Sequence, residues 1–227
     1  MNLRIKKFVI GSRLPPSCFL ESVTQLLRLG DHLRSSGLAS SPHFSDRYLL
    51  YEHIQTDLVK SNGIDFLEFG VFRGASIQRW AAINKNPASR FFGFDTFEGL
   101  PEPWKHATHT LSAGYFSTQG VPPSIDDPRV CFVKGLFQRT LPVFLADYQP
   151  KNQLIVHLDA DLYSATLFVL SSLNHYLVPG SILVFDEFSS VNSEFRAFRD
   201  YHMSFYRSFA AIGHAGQFYQ HVALKVL

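Results

Sequence analysis

The feature that most constrains this chain is an alternation, from Ile64 onward, of short apolar runs with segments of helix-like spacing. Continuous apolar runs are typical of strands that are buried on both faces, as in parallel sheets covered by helices. The sequence therefore predicts an α/β fold with a mostly parallel, Rossmann-like sheet and helices on both faces. The predicted strands are 64–69, 91–94, 130–133, 154–158 and 182–185, and the predicted helices are 76–83, 162–176 and 193–206.

The two ends of the chain and one long connection depart from this alternation. Apolar runs at 209–212 and 218–224, joined by a Gly-containing loop, predict an antiparallel C-terminal hairpin that closes a sheet edge. Residues 1–62 contain amphipathic stretches and predict a helical extension packed on a core domain of residues 63–227. Residues 101–129 are rich in Pro, Gly, Ser, Thr and His, and they predict a long binding loop or lid.

Composition limits the classes of partner. The 227 residues are 46% hydrophobic, enough for one domain core, and the net charge of +2 is scattered along the chain. A scattered charge offers no footprint for nucleic acid or an anionic membrane, so a small-molecule partner is favoured. Cys18 and Cys131 lie far apart in sequence, which suggests unpaired thiols in a reducing compartment. With no apolar stretch of membrane-spanning length, we expect a cytoplasmic protein.

A glycine-containing turn follows the first core strand. Glu68, Gly70, Gly74 and Ser76 occur where that strand passes into a helix, a position at which a ligand must approach the backbone closely. The third glycine of a dinucleotide fingerprint is missing, and a carboxylate at Glu68 suits a cationic amino-acid ligand better than a pyrophosphate. The alternative is an ordinary tight turn with a capping serine.

The next strand ends at Asp95, roughly 25 positions after Gly70 and near the offset of ~20 at which an acid binds ribose hydroxyls in dinucleotide folds. A carboxylate can accept the protons of both vicinal hydroxyls. A helix cap at the strand end is the alternative, although it does not explain the pairing of the acid with a glycine loop. We therefore predict that Gly70 and Asp95 contribute to one nucleoside-type site.

Carboxylates also follow the fourth and fifth core strands. Asp159 and Asp161 come after one of them, and Asp186 and Glu187 after the other, and ligands of open α/β sheets bind at these carboxyl ends. Crowded carboxylates raise one another's pKa, a cost that a hard divalent cation such as Mg²⁺ relieves. The sequence therefore predicts a metal site, with helix capping and a solvated loop as the alternative.

From Glu68 to about Phe188 the chain resembles the macrocin O-methyltransferase family of antibiotic-sugar methyltransferases. The resemblance is carried by EFGVFRG at 68–74, FDTFEGLP at 94–101, LDADLY at 158–163, and Pro179-Gly180 leading to Asp186-Glu187. It implies a class I methyltransferase fold, S-adenosylmethionine as methyl donor, and Mg²⁺ held by Asp159, Asp186 and Glu187. Glu187 stands where a second Asp is usual in the family. The family also tends to assemble, so we expect a homo-oligomer.

The function expected from these features is O-methylation of a small polyhydroxylated acceptor, such as a sugar of a natural product or a glycan. The acceptor oxygen must lose a proton as it attacks the methyl group, and a metal would position the hydroxyl and lower its pKa. We predict that Asp159 is catalytic and accepts this proton directly or hands it to a histidine.

Other side chains near these motifs have less specific interpretations. His157 lies within an apolar strand and is predicted to be a core residue, and His106 and His109 fall in the predicted lid. Trp104, Tyr163 and Phe188 are candidates for an apolar acceptor wall, although core packing is favoured for each.

Three rival functions remain open at this point. A nicotinamide-dependent sugar-nucleotide enzyme would carry a three-glycine fingerprint and a proton relay, and neither is evident. An S-adenosylmethionine-binding module without metal-dependent catalysis is favoured only by Glu187. Methylation of protein or nucleic acid gains no support from the near-neutral charge.

Overall fold

The computed structural model describes residues 17–105 and 110–227. The strands in these ranges are β1 (His43–Phe44), β2 (Ile64–Phe69), β3 (Arg90–Asp95), β4 (Trp104–Lys105), β5 (Thr110–Leu111), β6 (Val130–Lys134), β7 (Gln153–Leu158), β8 (Ile182–Phe185), β9 (Phe209–Ala215) and β10 (His221–Val226). The helices are α1 (Ser17–Ser35), α2 (Arg47–His53), α3 (Ala75–Ile83), α4 (Phe137–Asp147), α5 (Tyr163–Ser172) and α6 (Glu194–Ser204). A π-helical turn, Ile54–Val59, extends α2.

The main sheet has the strand order β1-β9-β10-β8-β7-β2-β3-β6, and β4 pairs with β5 in a separate hairpin. Strands β6, β3, β2, β7 and β8 are parallel, whereas β10 runs antiparallel to both β8 and β9. Strands β3 and β6 lie on one side of β2, and the chain then crosses to place β7 on the other side of β2. This reversal between β2 and β7 is the position at which open α/β sheets bind ligands.

Apolar side chains cover the sheet on both faces. Leu141 of α4, Val169 of α5 and Phe198 of α6 pack on one face, in a core that also includes α1. Tyr51 of α2 and Trp80 of α3 pack on the other face. A sheet buried on both sides requires strands that are apolar at nearly every position, which is the pattern seen in the sequence.

These observations confirm the predicted α/β class, the mostly parallel sheet and the antiparallel C-terminal hairpin. Helix α4, strand β1 and the β4–β5 hairpin were not predicted. Helix α4 contains Pro142, a residue type that usually ends or kinks a helix, although here it is the sixth of eleven helical residues and is exposed. Strand β1, from the region predicted to be helical, pairs in parallel with β9 and so lies outside the hairpin at the sheet edge. Within the described residues, no helix combines the length and the apolar character needed to cross a membrane.

Candidate active site

A cavity of about 300 Å³ opens at the carboxyl ends of β2, β3, β7 and β8. It contains several of the residues singled out in the sequence, namely Gly70, Asp95, Asp159, Asp186 and Glu187. Large apolar side chains supply much of the remaining wall: Phe72, Leu100, Trp104, Phe116, Phe137 and Leu162. The arrangement combines an acidic floor with an apolar wall at the topological reversal of the sheet.

Gly70 joins the ends of the two strands that flank the reversal. Its φ of +93° lies in the region that favours glycine, and a Cβ built on it would stand 1.8 Å from the carbonyl oxygen of Asp159. The Gly70 N–H donates to the Phe94 carbonyl at 3.0 Å, and the Asp159 N–H donates to the Phe69 carbonyl at 2.9 Å. Glycine at this position therefore allows the ends of β2 and β7 to approach closely.

Asp95 organises the glycine loop. One carboxylate oxygen, Oδ2, accepts hydrogen bonds from the backbone N–H groups of Val71 and Phe72, each at 2.8 Å. The other oxygen, Oδ1, accepts from the N–H of Phe97 at 2.8 Å. The carboxylate thus caps the loop rather than a helix, and because Oδ2 already accepts two hydrogen bonds, Oδ1 holds the remaining acceptor capacity of this cavity-lining side chain. Its contact with a ribose stays a prediction.

Three predicted cofactor residues do not line the cavity. Glu68 is buried in the sheet, where its Oε1 lies 3.3 Å from Nδ1 of His157, and burial raises the pKa of Glu68. The Tyr51 hydroxyl lies 2.7 Å from Nε2 of the same histidine, so His157 is a buried, hydrogen-bonded core residue. Gly74 precedes α3 with a φ of +79°, and Ser76 is buried in the first turn of that helix. The three predicted residues therefore flank the glycine loop in sequence without lining the cavity.

Asp159 and Asp161 are surrounded by other carboxyl groups. Burial, and then Asp186, Asp161 and other acids, raise the pKa of Asp159 well above its ordinary value. Burial, followed by Glu187 and Asp186, raises the pKa of Asp161 to about 7. Among the described residues, none donates a hydrogen bond to either carboxylate, so both are open to a ligand in the cavity.

Asp186 and Glu187 have protein contacts. Nη1 of Arg47 donates to Oδ1 of Asp186 at 2.9 Å, and Nδ1 of His221 lies 3.1 Å from the same oxygen. Burial acts in the opposite direction, but His221 and Arg47 together hold the pKa of Asp186 well below its usual range. Glu187 accepts a hydrogen bond from Nε2 of Gln220 at 2.9 Å. Asp186 therefore already has a cationic neighbour.

Glu194, at the start of α6, adds another acid to this end of the sheet. Its Oε2 accepts the backbone N–H of Glu187 at 3.0 Å, while its buried Oε1 has no hydrogen-bond partner in the described part of the chain. Burial raises the pKa of Glu194 well above its ordinary value, and Asp161 and Asp186 contribute in the same direction. If all of these carboxyl groups were ionised, their negative charge would exceed the positive charge of the neighbouring cations.

These residues fit Mg²⁺ in kind but not in arrangement. Carboxylate oxygens are the ligands that this cation prefers, and crowding of Asp159 and Asp161 favours a bound positive charge. In residues 17–105 and 110–227, however, no three His, Cys, Asp or Glu side chains form a group that could hold a metal ion. Asp159, Asp186 and Glu187 line the same cavity without converging on one point.

Of the three candidates for an apolar acceptor wall, only Trp104 lines the cavity. Trp104 lines the cavity, and its Nε1 donates to the Ser193 hydroxyl at 3.2 Å. Tyr163 instead donates to Asp200 at the surface of α5 and α6, and Phe188 is fully buried in the core. His106 and His109 lie outside the described residues.

Comparison with known proteins shows what this arrangement belongs to. The family described as Macrocin-O-methyltransferase (TylF) matches residues 49–220, about three quarters of the chain. The chain belongs to the macrocin-O-methyltransferase family. The predicted family resemblance is therefore confirmed.

A curated relative is similar to part of this macrocin-O-methyltransferase family chain, and two solved structures share its fold. A Streptomyces olivaceus protein, named 8-demethyl-8-(2,3-dimethoxy-alpha-L-rhamnosyl)-tetracenomycin-C 4'-O-methyltransferase, is 29% identical over 157 residues, which cover 59% of this chain and 57% of that protein. The matched part thus spans little more than half the length of that relative. The crystal structure of the calicheamicin methyltransferase CalS11 (24% identity, TM-score 0.61, 98% and 90% of the two chains) and the structure of the O-methyltransferase NovP (17%, 0.59, 79% and 78%) share the fold.

Sequence reasoning missed several residues of this macrocin-O-methyltransferase site. Arg47 and His221 reach Asp186 from elements far away in sequence, and no local pattern marks either of them. Glu194 follows Ser193 at a helix start, where an acid is expected to interact with the helix dipole rather than to be buried. Glu68 and His157 are opposite each other in the β2–β7 register, so aligning the two strand ends would have revealed their contact.

Proposed function

We propose that this chain is an S-adenosylmethionine-dependent O-methyltransferase whose acceptor is a hydroxyl of a small polyhydroxylated molecule, of the kind found on sugars of natural products. The observation that carries the proposal is the single cavity that joins Gly70, Asp95 and Asp159 at the sheet reversal of a macrocin-O-methyltransferase family member. The Streptomyces olivaceus relative, named for methylation at a rhamnosyl 4' position, supports a sugar hydroxyl as the acceptor.

The glycine-loop side of the cavity is proposed to hold the methyl donor. Oδ1 of Asp95 keeps acceptor capacity for a ribose hydroxyl, while Oδ2 fixes the N–H groups of Val71 and Phe72. Gly70 leaves room for a ligand to approach the backbone. Glu68, buried in the sheet, and Gly74 and Ser76, at the start of α3, are proposed to support the donor site by holding the glycine loop in place.

Asp159 is proposed to accept the proton of the acceptor hydroxyl. Transfer of a methyl group from a sulfonium to oxygen is an in-line displacement, in which the C–S bond breaks as the C–O bond forms and the hydroxyl proton leaves. Because burial and neighbouring acids raise the pKa of Asp159, its carboxylate is a stronger base than an exposed aspartate. The apolar wall around Trp104 would exclude water from the reacting atoms.

Mg²⁺ is the finer part of the proposal. A bound cation would polarise the acceptor hydroxyl, and Asp159, Asp186 and Glu187 are the proposed ligands. The preference of Mg²⁺ for carboxylate oxygens supports this assignment. To bind the metal, however, Asp186 and Glu187 would have to change their present contacts with Arg47, His221 and Gln220. Cytoplasmic residence and homo-oligomer formation also stay proposals, and the near-neutral charge gives no support for a nucleic-acid partner.

The test is calorimetric titration with S-adenosylmethionine and, separately, with NAD⁺, followed by transfer of labelled methyl groups to rhamnosylated acceptors. We expect selective binding of S-adenosylmethionine, with turnover lost by at least about a hundredfold in Asp159→Asn, the usual scale for removal of a general base. Asp147→Asn is the matched control, because Asp147 is exposed and does not line the cavity. Binding of NAD⁺ or of neither ligand would contradict the function, and full turnover in Asp159→Asn would contradict only the role of Asp159.

A further inference from the structure

Arg47 is the arginine that reaches into the acidic floor of the cavity. It begins α2, immediately after Asp46, whose carboxylate accepts the N–H groups of Tyr48 and Leu49 and so fixes where the helix starts. From this position the Arg47 side chain, 27% exposed, extends to the largely buried Asp186. Its guanidinium also lies 5.4 Å from the centre of the Tyr48 ring. The location of Arg47 is thus defined by a cap, an ion pair and a ring contact.

We propose that Arg47 is a built-in counter-cation that competes with a divalent metal for Asp186 and thereby sets the metal affinity of the cavity. This inference deepens the proposed function, since it concerns the same site. It explains why the carboxylates predicted to bind a metal are gathered in one cavity, yet do not converge as a set of ligands. One positive charge is already placed beside one of the three.

Electrostatics gives the direction of the effect. Metal binding to Asp186 requires a lone pair on a carboxylate whose Oδ1 is already contacted by Arg47 and His221. A dication near the guanidinium is also repelled, and partial burial of Asp186 and Arg47 weakens solvent screening of that repulsion. Loss of Arg47 would remove both effects and leave Asp159, Asp161 and Asp186 without a neighbouring arginine. Metal affinity should therefore rise when the charge of Arg47 is removed.

The experiment measures Mn²⁺ binding to the full chain by electron paramagnetic resonance of the free ion, which needs no turnover. We expect Arg47→Gln to tighten Mn²⁺ binding by at least about tenfold, the equivalent of one ion-pair contribution of about 1.4 kcal/mol. Arg47→Lys keeps the positive charge and should stay within about threefold of wild type. Arg34→Gln is the control for net charge, because Arg34 is 71% exposed and pairs only with the neighbouring Asp31 on α1.

Two further variants separate the mechanism from a change in folding. Arg47→Met keeps an aliphatic stem that can pack beside Tyr48, and it should tighten Mn²⁺ binding as Arg47→Gln does, with circular dichroism reporting that each variant is folded. In an Asp186→Asn background the Arg47→Gln substitution should tighten binding clearly less than it does in wild type, because only the repulsion between the guanidinium and the dication is then left to relieve.

Unchanged or weaker Mn²⁺ binding in Arg47→Gln and Arg47→Met would overturn the inference, as would the absence of saturable Mn²⁺ binding in every variant. Calorimetry with S-adenosylmethionine on the same samples separates this result from a failure of the proposed function. Donor binding without an Arg47 effect contradicts the inference alone, whereas tighter Mn²⁺ binding in a chain that does not bind the donor contradicts the methyltransferase proposal alone.

Discussion

Gly70→Ala tests the claim that the ends of β2 and β7 must approach closely for the cavity to form. The new Cβ would stand 1.8 Å from the Asp159 carbonyl oxygen, so the two strand ends would have to move apart by more than about 1 Å to restore an ordinary contact. Gly180→Ala is a matched control. Gly180 has nearly the same φ, +94° against +93°, but no atom of residues 17–105 and 110–227 lies within 4 Å of the Cβ built on it.

The two variants separate backbone strain from the steric clash. A non-glycine residue in this conformation costs roughly 1–2 kcal/mol, which both variants share. Gly70→Ala adds overpacking against a backbone atom, for which we expect about 2 kcal/mol more. Urea unfolding, followed by the fluorescence of the buried Trp80 and Trp104, measures the free energy of unfolding of each variant.

The same pair of variants reports on the donor site. Displacement of the Gly70 loop should abolish measurable S-adenosylmethionine binding in Gly70→Ala, whereas Gly180→Ala should bind as wild type does, because Gly180 does not line the cavity. Equal losses of stability in the two variants, together with donor binding retained in Gly70→Ala, would refute the reasoning about the close approach of the two strands.

Three further predictions concern other polar side chains. Asp65 is fully buried and accepts hydrogen bonds from four residues, so Asp65→Asn should lower the free energy of unfolding by about 3 kcal/mol in urea titrations, against less than about 0.5 kcal/mol for the exposed Asp31→Asn. Burial, and then a neighbouring histidine, lower the pKa of His32 from 6.5 to about 4. The unfolded chain therefore takes up this proton at a higher pH than the folded chain, and the free energy of unfolding falls as the pH drops from 6.5 towards 4. His32→Leu should remove about 2 kcal/mol of this pH-dependent loss of stability in unfolding curves measured between these two pH values. Asp95→Asn should weaken S-adenosylmethionine binding at least about tenfold in calorimetry, because an amide offers one acceptor atom where three N–H groups are now bound.

Strand positions were predictable from sequence because burial on both faces demands a continuous apolar run. The predicted 64–69 and 182–185 coincide with β2 and β8, and the other core strands differ by a residue at one or both ends. Helix α4 was not predicted, because Pro142, the sixth of its eleven residues, argues against a helix. The β4–β5 hairpin was hidden by its short strands, each of two residues, inside a segment without periodicity.

The location of the site was predictable for a topological reason, whereas its internal contacts were not. Carboxyl ends of parallel strands meet at one edge, so Asp95, Asp159 and Asp186 were expected to lie together, and they line one cavity. Which side of the strand end a residue occupies matters equally. Glu68 is the last but one residue of β2, so it lies within the sheet opposite His157 and does not line the cavity. Gly70 follows the end of the strand and lines the cavity.

The electrostatic character of the site depends on residues outside the motifs that reveal it. The acidic residues after β7 and β8 come from the core sheet, but the arginine beside them comes from α2, and His221 comes from the start of β10. Neither residue is adjacent in sequence to the carboxylates it contacts, so the sequence pattern around Asp186 is compatible with either a metal or a guanidinium as its neighbour. Since the helix that carries Arg47 precedes β2, the first of the parallel core strands, a substitution there would change the charge balance of the cavity without altering any motif of the core.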